Sequence, residues 1–286
     1  AAMYDSSAQR LLLGEGFAGI PRKPLYALML ASFHALAGNE YHAVANLQVL
    51  VLTFIPLIVY WLTKSLHSRM AGLIAAIILI LRETNAIALS ADIRIVHSKI
   101  LLSDMPVGLG LVLFTWLFVA WLQDPFKWRW HPLLMGGVFG LSMLIRSNSV
   151  IMLAAIIAIL VVVFLRRPLK GLFNLGLFLL GLSLTIAPWM LRSYQLTGRA
   201  TFNDPNQVAF HAELYTYDEE IGSFKLPQMP GETAKEYLDR LNAHVVDFTL
   251  QNPEVVAGFV IPHVLNNQIG MLLNLPMTPW LMQNPN

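Results

Sequence analysis

Apolar runs of about twenty residues alternate with short polar stretches along most of this chain. The runs cover Ala43–Thr63, Met70 to Ala88, Asp104–Leu122 and Leu172–Met190. A shorter pair, Pro132–Ile145 and Ser149–Leu165, is split by the polar turn Arg146-Ser147-Asn148. A helix needs roughly 20 apolar residues to cross the hydrocarbon core of a bilayer, so the pattern predicts about six spans over residues 43–190. The far end of the second span is interrupted by Arg82, Glu83 and Asn85. Residues 1–42 are too polar at their start to span. Residues 7–13 read as one or two helical turns with Ala8, Leu11 and Leu12 on one side, broken by Gly14 and Gly16. Pro24–Ala37 is apolar but only 14 residues long, which predicts an interfacial or re-entrant helix, with a tilted span as the alternative.

Beyond residue 190 the pattern changes. Residues 191–257 are polar and carry Pro and Gly, the signature of a segment outside the bilayer. Within them Thr233-Ala-Lys-Glu236 is a capping box. It opens a helix with Tyr237, Leu238, Leu241, Val245 and Phe248 at helical spacing, stopping at Asn252-Pro253; this helix is expected on the outer rim of the membrane domain. Residues 258–286 are apolar but broken by Pro262, Asn266 and Asn267, either a span or a loop over a site. The expected organisation is therefore 1–42, an outer loop; 43–190, a transmembrane bundle; 191–257, an extracytoplasmic segment; and 258–286, a partial membrane-associated segment. The fold class is all-α, polytopic and membrane-embedded.

Composition strengthens this. Charged residues make up 13% of the chain, against about 25% in soluble domains. The absence of cysteine excludes disulfides, thiolate metal sites and cysteine nucleophiles. A net charge of +2 is too small to imply nucleic acid. No Walker motif, dinucleotide Gly-rich loop or Gly-x-Ser-x-Gly is present, which argues against nucleotide-driven transport and common hydrolase designs. The chain opens on Ala1 with no charged region leading into an apolar one, and ends on Asn-Pro-Asn; it reads as a fragment lacking an N-terminal span and a C-terminal part.

Charge also orients the spans. Lys64, His67 and Arg69, then Lys127, Arg129 and His131, then Arg166, Arg167 and Lys170 fall in alternate short loops, with Asp124 as the one acid. The positive-inside rule places these loops in the cytoplasm. Residues 1–42, 89–103, 146–148 and those after Trp189 then lie outside. The aromatic cluster Trp116, Trp121, Trp128 and Trp130 is expected to be the cytoplasmic interfacial belt.

The outer side collects the candidate chemistry. Its acids are Asp5, Glu83, Asp92 and Asp104, and its cations are Arg22, Lys23, Arg94, His97, Lys99, Arg146 and Arg192. Each has a bland reading too. Asp5 and Asp104 could cap helices, Glu83 could pair with Arg82 or Arg94, and the arginines could snorkel to headgroups. His97, His211 and His263 match no short metal motif, although His263 with Asn266 and Asn267 forms a polar patch that could line a cavity.

Four stretches share a family's order. Tyr4, Asp5, Ala8, Leu12, Gly14, Gly16 and Phe17 are followed by Pro24-Leu25-Tyr26 and Gly38; Lys99-Ile-Leu-Leu-Ser-Asp104-Met-Pro106 comes next; then Gly140-Leu-Ser-Met-Leu-Ile-Arg146; then Ala187-Pro-Trp189-Met-Leu-Arg192-Ser193. This order resembles the GT-C membrane glycosyltransferases of the dolichyl-phosphate-mannose–protein mannosyltransferase-like group. The departures are Ser193 in place of the usual Asn, and the acid expected a few residues before Tyr4, which falls at or upstream of Ala1. The resemblance implies a GT-C-like helix bundle. It also implies transfer, with inversion, of a sugar from a polyprenyl-phosphate donor to a glycan, lipid or protein acceptor on the extracytoplasmic face. Asp5, or an acid upstream of it, would be the base and Asp104 its helper. Tyr4, Glu83, Lys99, Arg146, Arg192 and His263 would bind substrate, with Lys99, Arg146 and Arg192 on the phosphate. No cofactor is implied beyond an optional divalent metal. The alternative is a non-catalytic membrane protein, a lipid-linked glycan transporter or a scaffold subunit.

Overall fold

The computed structural model describes residues 2–17, 24–90, 96–125, 128–165, 168–202, 227–258, 260–262 and 265. The regular elements are α1 (Ala2–Leu12), α2 (Pro24–Ala37), α3 (Tyr41–Leu52), α4 (Phe54–Leu66), α5 (Arg69–Leu89), α6 (Asp104–Gln123), α7 (His131–Ile145), a 3-10 turn (Ser147–Val150), α8 (Ile151–Phe164), α9 (Pro168–Thr197) and α10 (Ala234–Gln251). No strand occurs among the described residues. Four helices are long and apolar enough to cross a membrane: Tyr41–Leu66, Arg69–Leu89, Asp104–Gln123 and Leu169–Thr197. The protein is an all-α polytopic membrane protein.

The first long helix is α3 and α4 joined across Thr53. Pro56 sits in the first turn of α4, where it has no N–H for the Leu52 carbonyl, and a proline in such a position bends or breaks a helix. Thr53 finishes α3 locally: its N–H donates to Val49 O (3.0 Å) and its hydroxyl to Leu50 O (2.6 Å).

The helices up to Pro188 form one compact unit. Within it α4 packs on α5 and α6, α6 on α7, and α2 on α1, α3 and α7. An aromatic column runs down α6. Phe114 meets Phe139 of α7 (5.1 Å between centroids) and Phe178 of α9 (6.4 Å), and Trp121 meets Phe164 of α8 (5.6 Å). Trp121 is completely buried, so it belongs to this core and not to the interfacial belt that its neighbours suggested; Trp128 and Trp130 remain about half exposed.

In a bilayer, helices gain little from hydrophobic exclusion and pack through close backbone approach at small residues. Such an approach joins α7 to α9. A Cβ on Gly136 would overlap the Phe178 carbonyl oxygen, one on Gly140 the Thr185 hydroxyl, and one on Gly181 the Leu133 carbonyl oxygen. Gly136→Leu is therefore expected to destabilise the protein by about 1–3 kcal/mol or more, read as a lower unfolding temperature in detergent. An unchanged midpoint would mean that α7 and α9 do not touch there.

One end of this unit carries a second core. Ala8 of α1, Tyr26, Leu30, Ala31 and Phe33 of α2, Val44 and Ala45 of α3, and Leu101 pack together, with Tyr4, Leu11 and Ile145 at the margin. The helix of the opening segment starts earlier than residues 7–13 suggested, at Ala2. Asp5 therefore lies inside α1 and is not a cap.

From Trp189 onward a second compact unit begins. The end of α9 closes on Gly198 in the left-handed region (φ 71°), with its N–H on Tyr194 O (2.8 Å). The Ser193 hydroxyl donates to Arg199 O (3.2 Å) and accepts from Thr201 N–H (3.1 Å). The capping box at Thr233 and Glu236 is formed, and Tyr237, Leu238 and Leu241 are buried. Arg240 grips both oxygens of Glu232 at 2.8 Å and donates to Pro227 O at 2.8 Å, while Arg199 pairs with Asp239. The Arg240 hydrogen bonds hold the Glu232 carboxyl down at about 2, from an ordinary 4.5. A depressed carboxylate stabilises the fold above its unfolded value and loses that contribution as pH falls through its folded value. Hydrogen-exchange protection at the start of α10 is thus expected to fall between about pH 4.5 and 2. Glu232→Gln should flatten that response; a variant with the same pH dependence would exclude this pair as its source.

Candidate active site

The loop end of the first unit places two charged residues together. Ser103 is the N-cap of α6, Asp104 stands in its first turn, and Pro106 follows. A carboxylate is favoured at that position by the helix dipole. Arg146 is the residue on which α7 ends, its backbone extended (φ −153°, ψ 113°) and its N–H on Ser142 O (2.9 Å), and a cation is favoured at a helix C-terminus. Two helix ends of opposite polarity thus meet, and Arg146 Nη1 pairs with Asp104 Oδ1. About a third of each side chain is exposed, so the pair is reachable from water.

Next to the pair is an apolar cavity of about 200 Å³. Its lining includes Leu25, Met29, Gln48, Pro106, Ser142 and Ile145; Pro106 is two residues from Asp104 and Ile145 adjoins Arg146. A second cavity, of about 460 Å³, lies between α3–α4 and α5, with Arg82, Glu83, Thr84 and Ser98 at its polar end.

The loop before α6 is held by a fully buried amide. Gln48 Nε2 donates to Ser98 O (2.7 Å) and Ile100 O (2.9 Å), and Gln48 Oε1 accepts from the Tyr26 hydroxyl (3.0 Å). The carbonyl between these two, that of Lys99, accepts from the Tyr41 hydroxyl (3.1 Å). Three consecutive carbonyls are thereby fixed, while the Lys99 side chain stays exposed. Glu83 Oε1 accepts the Ser98 N–H (2.6 Å). Glu83 thus anchors the loop backbone, where an ion pair with Arg82 or Arg94 was the bland expectation. Burial holds the His97 imidazole below its ordinary value, with the Glu83 charge acting in the opposite sense.

Asp5 is tied down on both oxygens. Oδ1 bonds His34 Nε2 (2.6 Å) and Oδ2 accepts from Gln9 Nε2 (3.1 Å). His34 is buried and its Nδ1 bonds Gly38 O (3.0 Å). A carbonyl only accepts, so Nδ1 carries a hydrogen and Nε2 faces the carboxylate. Tyr4 packs edge-on against Tyr26 (5.3 Å). The Asp5 and Asp104 neighbourhoods are linked through one packed cluster, to which Leu101 and Ile145 both contribute.

Arg192 belongs to the second unit, its guanidinium over the Trp189 ring at 5.7 Å. His263, Arg22, Lys23, Asp92, Arg94 and His211 lie outside the described residues. Among the described residues no three His, Asp or Glu side chains converge as a metal site. Sequence reasoning passed over Gln48 and His34. The signal for Gln48 was present: a polar residue inside an apolar run is rare and is usually paired.

The family model described as dolichyl-phosphate-mannose-protein mannosyltransferase matches residues 21–191, well over half of the chain. The chain belongs to this family. The mannosyltransferase match includes Glu83, Lys99, Asp104 and Arg146, whereas Tyr4 and Asp5 precede it and Arg192 follows it by one residue. No curated protein and no solved structure is significantly similar to the chain. Membership in a family of membrane mannosyltransferases agrees with the apolar helices.

Proposed function

We propose that this protein transfers a sugar from a polyprenyl-phosphate donor to an acceptor hydroxyl on the extracytoplasmic face, with inversion. The observation that carries the reading is the Asp104–Arg146 pair beside an apolar cavity. A lipid-phosphate donor needs a cation for its phosphate and a greasy groove for its tail, and the presence of Arg146 beside the Pro106–Ile145 cavity supports this reading. The family match and the alternation of basic loops support the reaction class and the sidedness.

In the proposed reaction the acceptor oxygen bonds the anomeric carbon as the bond from that carbon to the phosphate oxygen breaks. The acceptor proton passes to a carboxylate, and the phosphate leaves against fixed cations. Asp5 takes the proton. On Asp5 the acceptor hydroxyl would replace Gln9 at Oδ2 while His34 keeps Oδ1. Asp104 acts through Arg146, holding the guanidinium beside the cavity. Lys99, Tyr4 and Glu83 complete the proposed binding set within the first unit, and any divalent metal would be an addition to it.

The test is transfer from radiolabelled polyprenyl-phosphate sugar in membranes containing the protein. Asp5→Asn is expected to lower the rate about 10²–10⁴-fold, the usual range for loss of a general base. Full activity in that variant would move the base to another carboxylate. Donor binding without any turnover by the unaltered protein would favour a transporter or scaffold.

A further inference from the structure

The end of the first unit away from the candidate site carries a cavity that the proposed reaction does not use. It measures about 440 Å³ and is lined by Pro125, Arg129, Leu169, Lys170, Phe173 and Asn174. Arg129 comes from the loop between α6 and α7, and Lys170 from the first turn of α9. The N–H groups of a first helical turn point outward and carry partial positive charge. Positive potential therefore arises from three sources: a guanidinium, an ammonium and a helix start. The loop from Asp124 to His131 contributes one acid, Asp124.

The other walls are apolar and open. Leu169 is 83% exposed and Phe173 52%, on a helix long and apolar enough to cross a membrane. Asn174 anchors the start of that helix, its side-chain N–H donating to Lys170 O (2.7 Å). Nearby Trp128 and Trp130 are half exposed, and the Arg129 guanidinium lies 5.9 Å from the Trp130 ring. Exposed Trp beside Arg and Lys marks headgroup depth. The recess thus offers a basic floor for one charged group and greasy flanks for a chain leaving it. A soluble anion would use only the first of these.

We infer that this recess is a binding site for an anionic phospholipid, with the headgroup phosphate between Arg129 and Lys170 and an acyl chain along Leu169 and Phe173. Basic pockets between transmembrane helices are known to hold acidic headgroups. The inference does not depend on sugar transfer.

The experiment is native mass spectrometry of the full chain in detergent, titrated with phosphatidylglycerol, phosphatidylcholine or inorganic phosphate. Phosphatidylglycerol is expected to bind in preference to phosphatidylcholine. Arg129→Gln with Lys170→Gln should weaken it about 25-fold, at roughly fivefold per cation. Arg129→Lys with Lys170→Arg should retain it. Lys64→Gln should leave it unchanged, because Lys64 lines a different recess with Trp61, Ser65 and Trp116. Should the paired Gln variant fail to fold, Lys170→Gln alone, expected to lose about fivefold, decides. Equal binding of the two lipids, unaltered affinity in the Gln variants or equal loss in Lys64→Gln would overturn the site. Inorganic phosphate displacing the lipid at matched concentration would reassign it to a soluble anion.

Discussion

Arg146→Ala is expected to lower sugar transfer by about 10²–10³-fold, the range seen when one preorganised group that stabilises developing charge is removed. The same change should barely alter stability. Its partner Asp104 is about a third exposed, and ion pairs in such settings contribute up to about 1 kcal/mol. A large loss of rate with a nearly constant unfolding temperature would separate catalysis from scaffolding. Arg146→Lys should recover only part of the rate, because an ammonium cannot engage carboxylate and phosphate with a planar fork. Asp104→Asn should fall between, since Arg146 keeps its charge but loses the carboxylate that aims it. In the double Ala variant the losses should overlap, because the residues work as a unit. Wild-type rates in both single variants would remove this pair from the reaction altogether.

The second large effect is expected at Gln48, and it is on order rather than on chemistry. Gln48→Leu would orphan the Ser98 and Ile100 carbonyls and the Tyr26 hydroxyl, all of which bond that one amide. Each buried group left unpaired costs about 1–3 kcal/mol, so a loss of several kcal/mol in total is expected. Tyr26→Phe removes one bond and should cost about 1 kcal/mol. Hydrogen exchange over residues 97–103 is the discriminating measurement, with faster exchange expected in Gln48→Leu than in Tyr26→Phe. Equal protection in both variants and the unaltered protein would show that the loop is held by something else. Lys99 should lose its placement along with the loop, so transfer is expected to fall in parallel.

Much of the architecture was legible from local rules. Hydropathy placed α5 and α6 to within a residue or two, because length and polarity at the bilayer boundary decide where a span ends. The helix opened by Thr233 was legible because a capping box is a contact within four residues. The misses have a common cause, which is distance along the chain. Trp121 carries the composition of an interfacial aromatic, and only the arrival of Phe164 from α8 makes it core. His34 looked like one more residue of an apolar helix until α1 brought Asp5 to its ring. Asp104 and Arg146 were each singled out for their own motif, and nothing local indicated that they would pair. Gln48 was the reverse, a local oddity whose meaning needed a loop about fifty residues away.

The bare-backbone seam between α7 and α9 has a mechanical consequence. Rods coated with long side chains can slip or roll by exchanging rotamers, but rods touching carbonyl to glycine have no such lubricant. The seam acts as a clamp: α7, and with it the residue Arg146 at its end, is held against α9 by backbone rather than by side chains. The joint at Thr53 is built the opposite way: there Pro56 removes a backbone hydrogen bond that would otherwise tie α3 to α4.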